Sequence, residues 1–308
     1  MNRRTFIHRT GIVAAGAAIA PSLISASGKK DLKLVILHTN DTHSNIDPFP
    51  DNHGKYPGMG GVSRRAALIE QIRAEEENVL LLDCGDIFQG TPYFNKFKGV
   101  LEMKVLSEMG YDVATLGNHD FDIGIDGFLQ AKKHARFPFV NANYDLSKTT
   151  LRDEVKQHVV IRKGKLNIGI FGVGVDLNGL VPAENTGALV YMDPIAKAQE
   201  QVTLLREKKC DLIICLSHLG YEYPVDPEKV CDKHLAAKTE GIDLILGGHT
   251  HTFLEKPEIV KNKFGNDVVI NQVGYAGLYL GRIDIYCSGD NQFEVAGTPL
   301  QVKTASNQ

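Results

Sequence analysis

The sequence predicts an α/β fold, and three observations carry that reading. Six short apolar runs recur along the chain: Leu32–Leu37, Val79–Leu82, Val113–Leu116, Ile168–Val173, Leu212–Leu216 and Leu244–Leu246. Runs this short and uniformly apolar, bounded by turn residues, suit strands covered on both faces. Helical stretches lie between them, and strand–helix alternation marks a sheet flanked by helices. The third observation is chemical: five of the six runs empty into a loop dense in Asp, His, Asn or Gly.

Taken in order, the first 27 residues stand apart. Asn2-Arg3-Arg4-Thr5-Phe6-Ile7 opens a basic, acid-free segment, and the apolar run 11–26 that follows is interrupted at Pro21. That run is shorter than the roughly 20 residues needed to span a bilayer. A positive start, a short apolar stretch and small residues such as Ser25 and Ser27 near a cleavage point describe a signal peptide. The paired arginines before Phe6 resemble a twin-arginine export signal. An uncleaved anchor helix is the alternative. Residues 28–308 then read as one catalytic domain, with no Pro- or Ser-rich linker and no repeat.

Within that domain, helices are expected over Val62–Glu76, Val100–Met109, Ile125–Arg136 and Pro194–Lys208. In the last, Ile195, Ala198, Val202 and Leu205 recur at steps of three and four and form one apolar stripe. From Val268 onward β-rich runs (268–273, 280–287, 292–297, 300–303) follow one another without helices, which predicts a mixed sheet or a second packed sheet. Gly172-x-Gly174 reads as a tight turn.

Charge narrows the function. The net charge is −3, and removing residues 1–27 takes three arginines and no acid, leaving 31 basic against 37 acidic residues. This balance argues against a partner that is nucleic acid or anionic lipid, and no integral membrane segment is expected once the signal is removed. An anionic substrate needs a local positive source, for which a metal site is the natural candidate. The five cysteines are odd in number and unevenly spaced, so they make neither a disulfide framework nor a CxxC metal site. Cys84, Cys215 and Cys287 read as small buried hydrophobes, and a Cys210–Cys231 bridge stays open.

The polar loops share a residue chemistry. They contain Asp41-Thr42-His43, Asp83-Cys84-Gly85-Asp86, Asn118-His119-Asp120-Phe121-Asp122, Ser217-His218 and His249-Thr250-His251. Ligands in open α/β sheets bind outside the carboxyl ends of the strands, so these distant loops are expected to converge. Carboxylates, an amide and imidazoles without a thiolate suit Zn, Mn or Fe. Asp41 and His43, at i and i+2 on an extended loop, would point to one side, and His249 and His251 share that spacing. The glycine before Asp86 would let the backbone approach a metal, and Asp86 could bridge two cations. Two ions about 3.5–4 Å apart clamp a phosphate oxygen and favour in-line displacement. His119 is better cast as an acid or charge stabiliser at the leaving oxygen, with Asp122 orienting its ring; Asp122 as a cap for the helix near Ile125 is the alternative. His38 is expected to pack beneath the site, and Asp83 either joins the site or supports its loop.

These residues carry a resemblance. Asp41-x-His43, Gly85-Asp86, Gly117-Asn118-His119-Asp120, Ser217-His218 and Gly248-His249-x-His251 resemble the ordered motifs of the calcineurin-like metallophosphoesterase superfamily. The flanking phrases (37–43, Gly60-Gly61, Phe121-Asp122, Asn141-Ala142-Asn143 and Gln272-x-Gly274) are similar to the N-terminal catalytic domain of bacterial periplasmic 5′-nucleotidases and UDP-sugar hydrolases. Five motifs in order are far more specific than one.

The resemblance implies a four-layer α/β-β/α metallophosphoesterase sandwich. It also implies that Asp41, His43, Asp86 and His251 hold one ion, and that Asp86, Asn118, His218 and His249 hold the other. His119 with Asp122 becomes the catalytic dyad. Position 251 is His where the bacterial 5′-nucleotidases often carry Gln, and the chain is expected to have no counterpart of their C-terminal nucleotide-specificity domain. The expected activity is hydrolysis of phosphate esters dependent on two divalent metals, 5′-nucleotidase-like, in a periplasmic or otherwise exported protein. The substrate would be a small phosphate ester or nucleotide. The alternatives are a phosphodiesterase or sulfur-ester hydrolase on the same site, or a subunit that needs a separately encoded C-terminal domain protein.

Overall fold

The computed structural model describes residues 6–7, 32–287 and 293–303. Apart from Phe6 and Ile7, residues 1–27, expected to form a signal peptide, lie outside the described residues. The six apolar runs all form strands, and they divide between two sheets. One sheet has the order Phe6–Ile7, Phe293–Gln301, Tyr279–Cys287, Leu32–Thr39, Val79–Asp83, Val113–Thr115, Phe139–Val140, Val155–Lys156. The other runs Glu258–Lys261, Asp267–Asn271, Leu244–Leu246, Leu212–His218, Leu166–Gly174, His158–Lys163. The central strands of each sheet are parallel.

The runs are apolar throughout because each strand is covered twice. In Leu212–His218, Leu212, Ile214 and Leu216 pack between the sheets with Leu34, Ile36, Leu80 and Leu82 of the facing sheet. Ile213 and Cys215 point the other way, onto Ala198, Val202, Leu205 and Leu235 of the helices Pro194–Glu207 and Asp232–Lys238. The first sheet repeats the arrangement: Val35, Leu37 and Leu81 face outward onto Ile69, Ile72, Met103, Leu106 and Phe128 of the helices Val62–Glu75, Val100–Glu108 and Gly124–Lys132. Helix, sheet, sheet, helix is the four-layer sandwich expected. The period of two in the strands decides which side chain enters which layer.

Three local expectations change. The runs at 292–297 and 300–303 are one strand, Phe293–Gln301, antiparallel to Tyr279–Cys287. That pair joins the first sheet beside Leu32–Thr39 and makes it mixed, one of the two arrangements expected. Gly172 and Gly174 lie inside the strand Leu166–Gly174, not in a turn. A Cβ on Gly172 would stand 2.2 Å from the Val140 carbonyl oxygen, and one on Gly174 2.3 Å from the Tyr144 hydroxyl. Gly172 lets the two large sheets close on each other, and Gly174 makes room for Tyr144 of the small antiparallel pair Tyr144–Asp145 and Val190–Tyr191. Cys210 and Cys231 are free thiols with no bridge between them, and all five cysteines are buried. No helix among the described residues is long and apolar enough to cross a membrane.

Candidate metal centre and active site

The carboxyl ends of the strands do bring the polar loops together. Asp41 and His43 follow Leu32–Thr39, Asp86 follows Val79–Asp83, Asn118 and His119 follow Val113–Thr115, His218 ends Leu212–His218, and His249 and His251 follow Leu244–Leu246. Two clusters result, Asp41 with His43 and His251, and Asp86 with His218 and His249; in each, one donor atom per residue lies within 4.8 Å of the others. Asp86 Oδ2 connects the clusters, at 3.1 Å from His218 Nε2 and 3.8 Å from His43 Nε2. Asp41 Oδ1 is 3.4 Å from His251 Nε2 and 4.0 Å from His218 Nε2. His43 Nε2 and His251 Nε2 are 3.0 Å apart.

The backbone that presents these groups differs from the extended loop expected. Asp41, His43, Asp86, His249 and His251 all have left-handed φ, between 46° and 72°. For residues with a Cβ this conformation costs on the order of 1–3 kcal/mol each and persists only where the surroundings impose it. Here the loops lock one another: the amides of Asp41, His43 and Ser44 donate to the carbonyls of Gly85, Asp86 and Ile87 at 2.9, 3.0 and 2.9 Å. The amide of His249 donates to both Asp41 oxygens at 3.0 Å. Left-handed turns, not alternation along an extended chain, aim Asp41 and His43 to the same side. Gly85 serves the packing of one loop on another, since a Cβ there would lie 2.5 Å from the Gly117 amide nitrogen.

The opposite side of that contact gives a test. A Cβ on Gly117 would stand 2.2 Å from Asp86 Oδ1 and 2.3 Å from the Asp86 amide nitrogen. Gly117→Ala is expected to cost about 1–3 kcal/mol of stability by overpacking, read by urea unfolding, and to weaken binding of added divalent metal. A variant as stable as the parent would show that the loop yields freely there.

The donor set fits divalent cations on several counts. Nδ1 of His43 donates to the Phe88 carbonyl at 3.1 Å and Nδ1 of His218 to the Cys84 carbonyl at 2.7 Å, which leaves both Nε2 atoms facing the cluster. A second hydrogen bond of this kind orients metal-ligating histidines. Burial lowers the pKa of His43, and burial together with the charge on His218 lowers His249 to about 4, so both offer a neutral lone pair. Asn118 Oδ1 is buried without a hydrogen-bond partner among the described residues. Such orphans are costly unless something satisfies them. Burial opposes charge on both Asp86 and His218, but each outweighs it for the other: Asp86 is held below the usual carboxylate range and His218 is pushed up to about 10. A cation among these oxygens would displace the His218 proton.

His119 Nδ1 is 2.9 Å from Asp122 Oδ2, and that hydrogen bond raises the histidine pKa against partial burial. The carboxylate of Asp122 therefore serves His119 and not the helix Gly124–Lys132, which has no side-chain cap. The amide of His119 donates to Asp86 Oδ1 at 2.8 Å, tying the dyad to the connecting carboxylate. His38 lies beneath the site, fully buried, 2.8 Å from Asn271 Nδ2, with burial lowering its pKa to about 3. Asp83 supports its loop: it accepts from the Thr39 hydroxyl at 2.6 Å and the Gly85 amide at 2.9 Å.

Two supporting residues escaped the sequence reading. Asp120 accepts the amides of Asp86, Ile87, Phe88 and Gly117 at 3.1, 3.1, 3.3 and 2.8 Å, stitching two ligand loops through one carboxylate. Asn40 bonds Asp41 Oδ2 and the Gly274 carbonyl, each at 2.6 Å, and accepts the Val273 amide at 3.1 Å. Both stood inside the motifs, yet a carboxylate facing backbone amides is indistinguishable in sequence from one facing a metal.

Known proteins resemble this chain in sequence and fold. A family model for calcineurin-like phosphoesterases matches residues 34–253. A snake venom 5′-nucleotidase from Gloydius brevicauda is 33% identical over 291 residues, which cover 87% of this chain and 48% of that protein. The 5′-nucleotidase of Homo sapiens is 32% identical over 319 residues, 96% of this chain and 53% of its own. The crystal structure of a 5′-nucleotidase precursor from Thermus thermophilus matches with a TM-score of 0.79 at 33% identity, covering 88% of this chain and 55% of that one. The chain thus spans about half the length of the curated relatives it matches. With the sandwich, the converging loops and the family match in agreement, the chain belongs to the calcineurin-like phosphoesterase family.

Proposed function

We propose that residues 28–308 form the catalytic domain of an exported hydrolase that releases phosphate from 5′-nucleotides and related monoesters. Its centre takes two divalent metal ions, with Mn, Zn or Fe best suited to the donors. Asp41, His43 and His251 hold one ion, Asn118, His218 and His249 hold the other, and Asp86 is shared. The observation that carries this reading is Asp86 Oδ2, within 3.1 Å of one cluster's imidazole and 3.8 Å of the other's. Residues 1–27 act as a twin-arginine-like signal, which supports a periplasmic location.

When bound, two such ions neutralise the phosphate and activate water for in-line displacement. The chain's own residues do the rest. Asp122 engages His119 Nδ1, so Nε2 is the nitrogen free to face substrate. From there it donates a proton to the leaving oxygen and stabilises charge as the P–O bond breaks. The amide of His119 keeps Asp86 turned so that Oδ2 faces both clusters.

The test is phosphate release by the metal-stripped chain, with and without Mn or Zn, from AMP, a simple monoester and a diester. Metal-dependent turnover of AMP above the diester is expected. Preference for the diester would move the substrate class to phosphodiesters. Two bound ions without turnover of any substrate would point to a subunit that needs a separately encoded partner domain.

A further inference from the structure

The imidazoles of the centre are not all held alike. His43, His218 and His119 each have Nδ1 anchored, to the Phe88 carbonyl, the Cys84 carbonyl and Asp122 respectively. His251 has no such anchor: its side chain is 40% exposed, and among the described residues Nδ1 has no hydrogen-bond partner. Its ring instead lies flat on Tyr275, with centroids 5.0 Å apart and planes 7° from parallel.

Tyr275 is itself firmly placed. It sits in a turn where Gly274, Ala276 and Gly277 have φ of 77°, 57° and 63°. The turn is bonded to the loops that carry the ligands. The Ala276 amide donates to the Asp41 carbonyl at 2.7 Å, the Gly274 amide to the Thr252 carbonyl at 2.9 Å, and Asn40 Nδ2 to the Gly274 carbonyl at 2.6 Å. The Tyr275 ring packs against a satellite apolar cluster of Met59, Ala276 and Leu278, with Tyr56 edge-on at 6.1 Å. This small core is separate from the three large ones and lies at the rim of the centre.

We infer that Tyr275 is a positioning residue for His251, holding by ring stacking the orientation that hydrogen bonds hold for His43 and His218. The inference rests on the metal-centre reading above. A ligand side chain left free to turn loses rotamer entropy when it binds. Removing the groups that orient metal ligands typically weakens affinity about 10–100-fold. The flat face of the ring does this work, so the hydroxyl is dispensable and the apolar volume alone is insufficient.

The experiment is titration of the metal-stripped chain with Mn, following free Mn, for wild type and for Tyr275→Ala, Tyr275→Leu, Tyr275→Phe, His251→Ala and the His251→Ala/Tyr275→Ala pair. Tyr275→Leu fills the satellite core without a flat ring, so it serves if the alanine variant folds poorly. Ala and Leu are expected to weaken one of two metal equivalents about 10–100-fold, with Phe keeping wild-type affinity. The double variant is expected to bind no more weakly than His251→Ala alone. Wild-type affinity in Ala or Leu, a loss in Phe equal to that in Ala, or additive losses in the double variant would each overturn the inference. If wild type itself failed to bind two equivalents, the metal-centre reading would fall first; the two failures are therefore distinct.

Discussion

Asp86→Asn is expected to lose one metal equivalent and to reduce turnover about 10³-fold or more, corresponding to about 4 kcal/mol of barrier. The substitution keeps the side chain's size while removing the charge that both clusters use. Asp86 is 1% exposed, so solvent does not screen that loss. Its Oδ1 already receives the His119 amide at 2.8 Å, so an amide at this position would both weaken the proposed shared ligand and disturb the loop that carries His119. The fold should survive. The high pKa of His218 depends on Asp86, so without the carboxylate the imidazole sheds its proton rather than standing as an unpaired buried charge. Metal content by mass spectrometry and phosphate release together check the prediction. Two ions retained, with turnover within tenfold of the parent, would remove Asp86 from the shared position.

His119→Ala separates chemistry from metal binding. It is expected to lower kcat about 10²–10⁴-fold, the usual contribution of a general acid, while both metal equivalents stay bound. The loss should be largest with nucleoside monophosphates, whose leaving alkoxide needs a proton. It should shrink with p-nitrophenyl phosphate, whose leaving group departs unprotonated. Asp122→Asn should follow the same pattern with a smaller loss, because the role proposed for Asp122 runs through Nδ1 of His119, 2.9 Å away. An equal loss on both substrates would make His119 a charge stabiliser instead of an acid. Loss of metal in the variant would move His119 into the ligand set.

How far the site was legible in the sequence depends on what each residue faces. Asp41, His43, Asp86, Asn118, His218, His249 and His251 could be read because each stands directly after an apolar strand, and parallel strands deliver their carboxyl ends to one edge. The pairing of His119 with Asp122 followed from a three-residue step, but the choice between orienting a histidine and capping a helix needed the observed hydrogen bond. Asp120 and Asn40 were hidden because their partners are backbone amides and carbonyls contributed by other loops. Tyr275 was hidden for the same reason: nothing in its own stretch announces that a ring from residue 251 lies 5.0 Å above it.

By itself, then, the sequence determined the α/β class, the strands and the identity of the candidate donors, because strand burial has a period of two and donor chemistry is intrinsic to residue type. Tertiary structure alone decided two further things. It showed that left-handed turns, not extended chain, aim Asp41 and His43. It also assigned Gly172 to the closing of the two large sheets and Gly174 to the room Tyr144 needs, instead of a turn. Each depends on distances between segments far apart in the chain, and a local pattern of residues does not encode those distances.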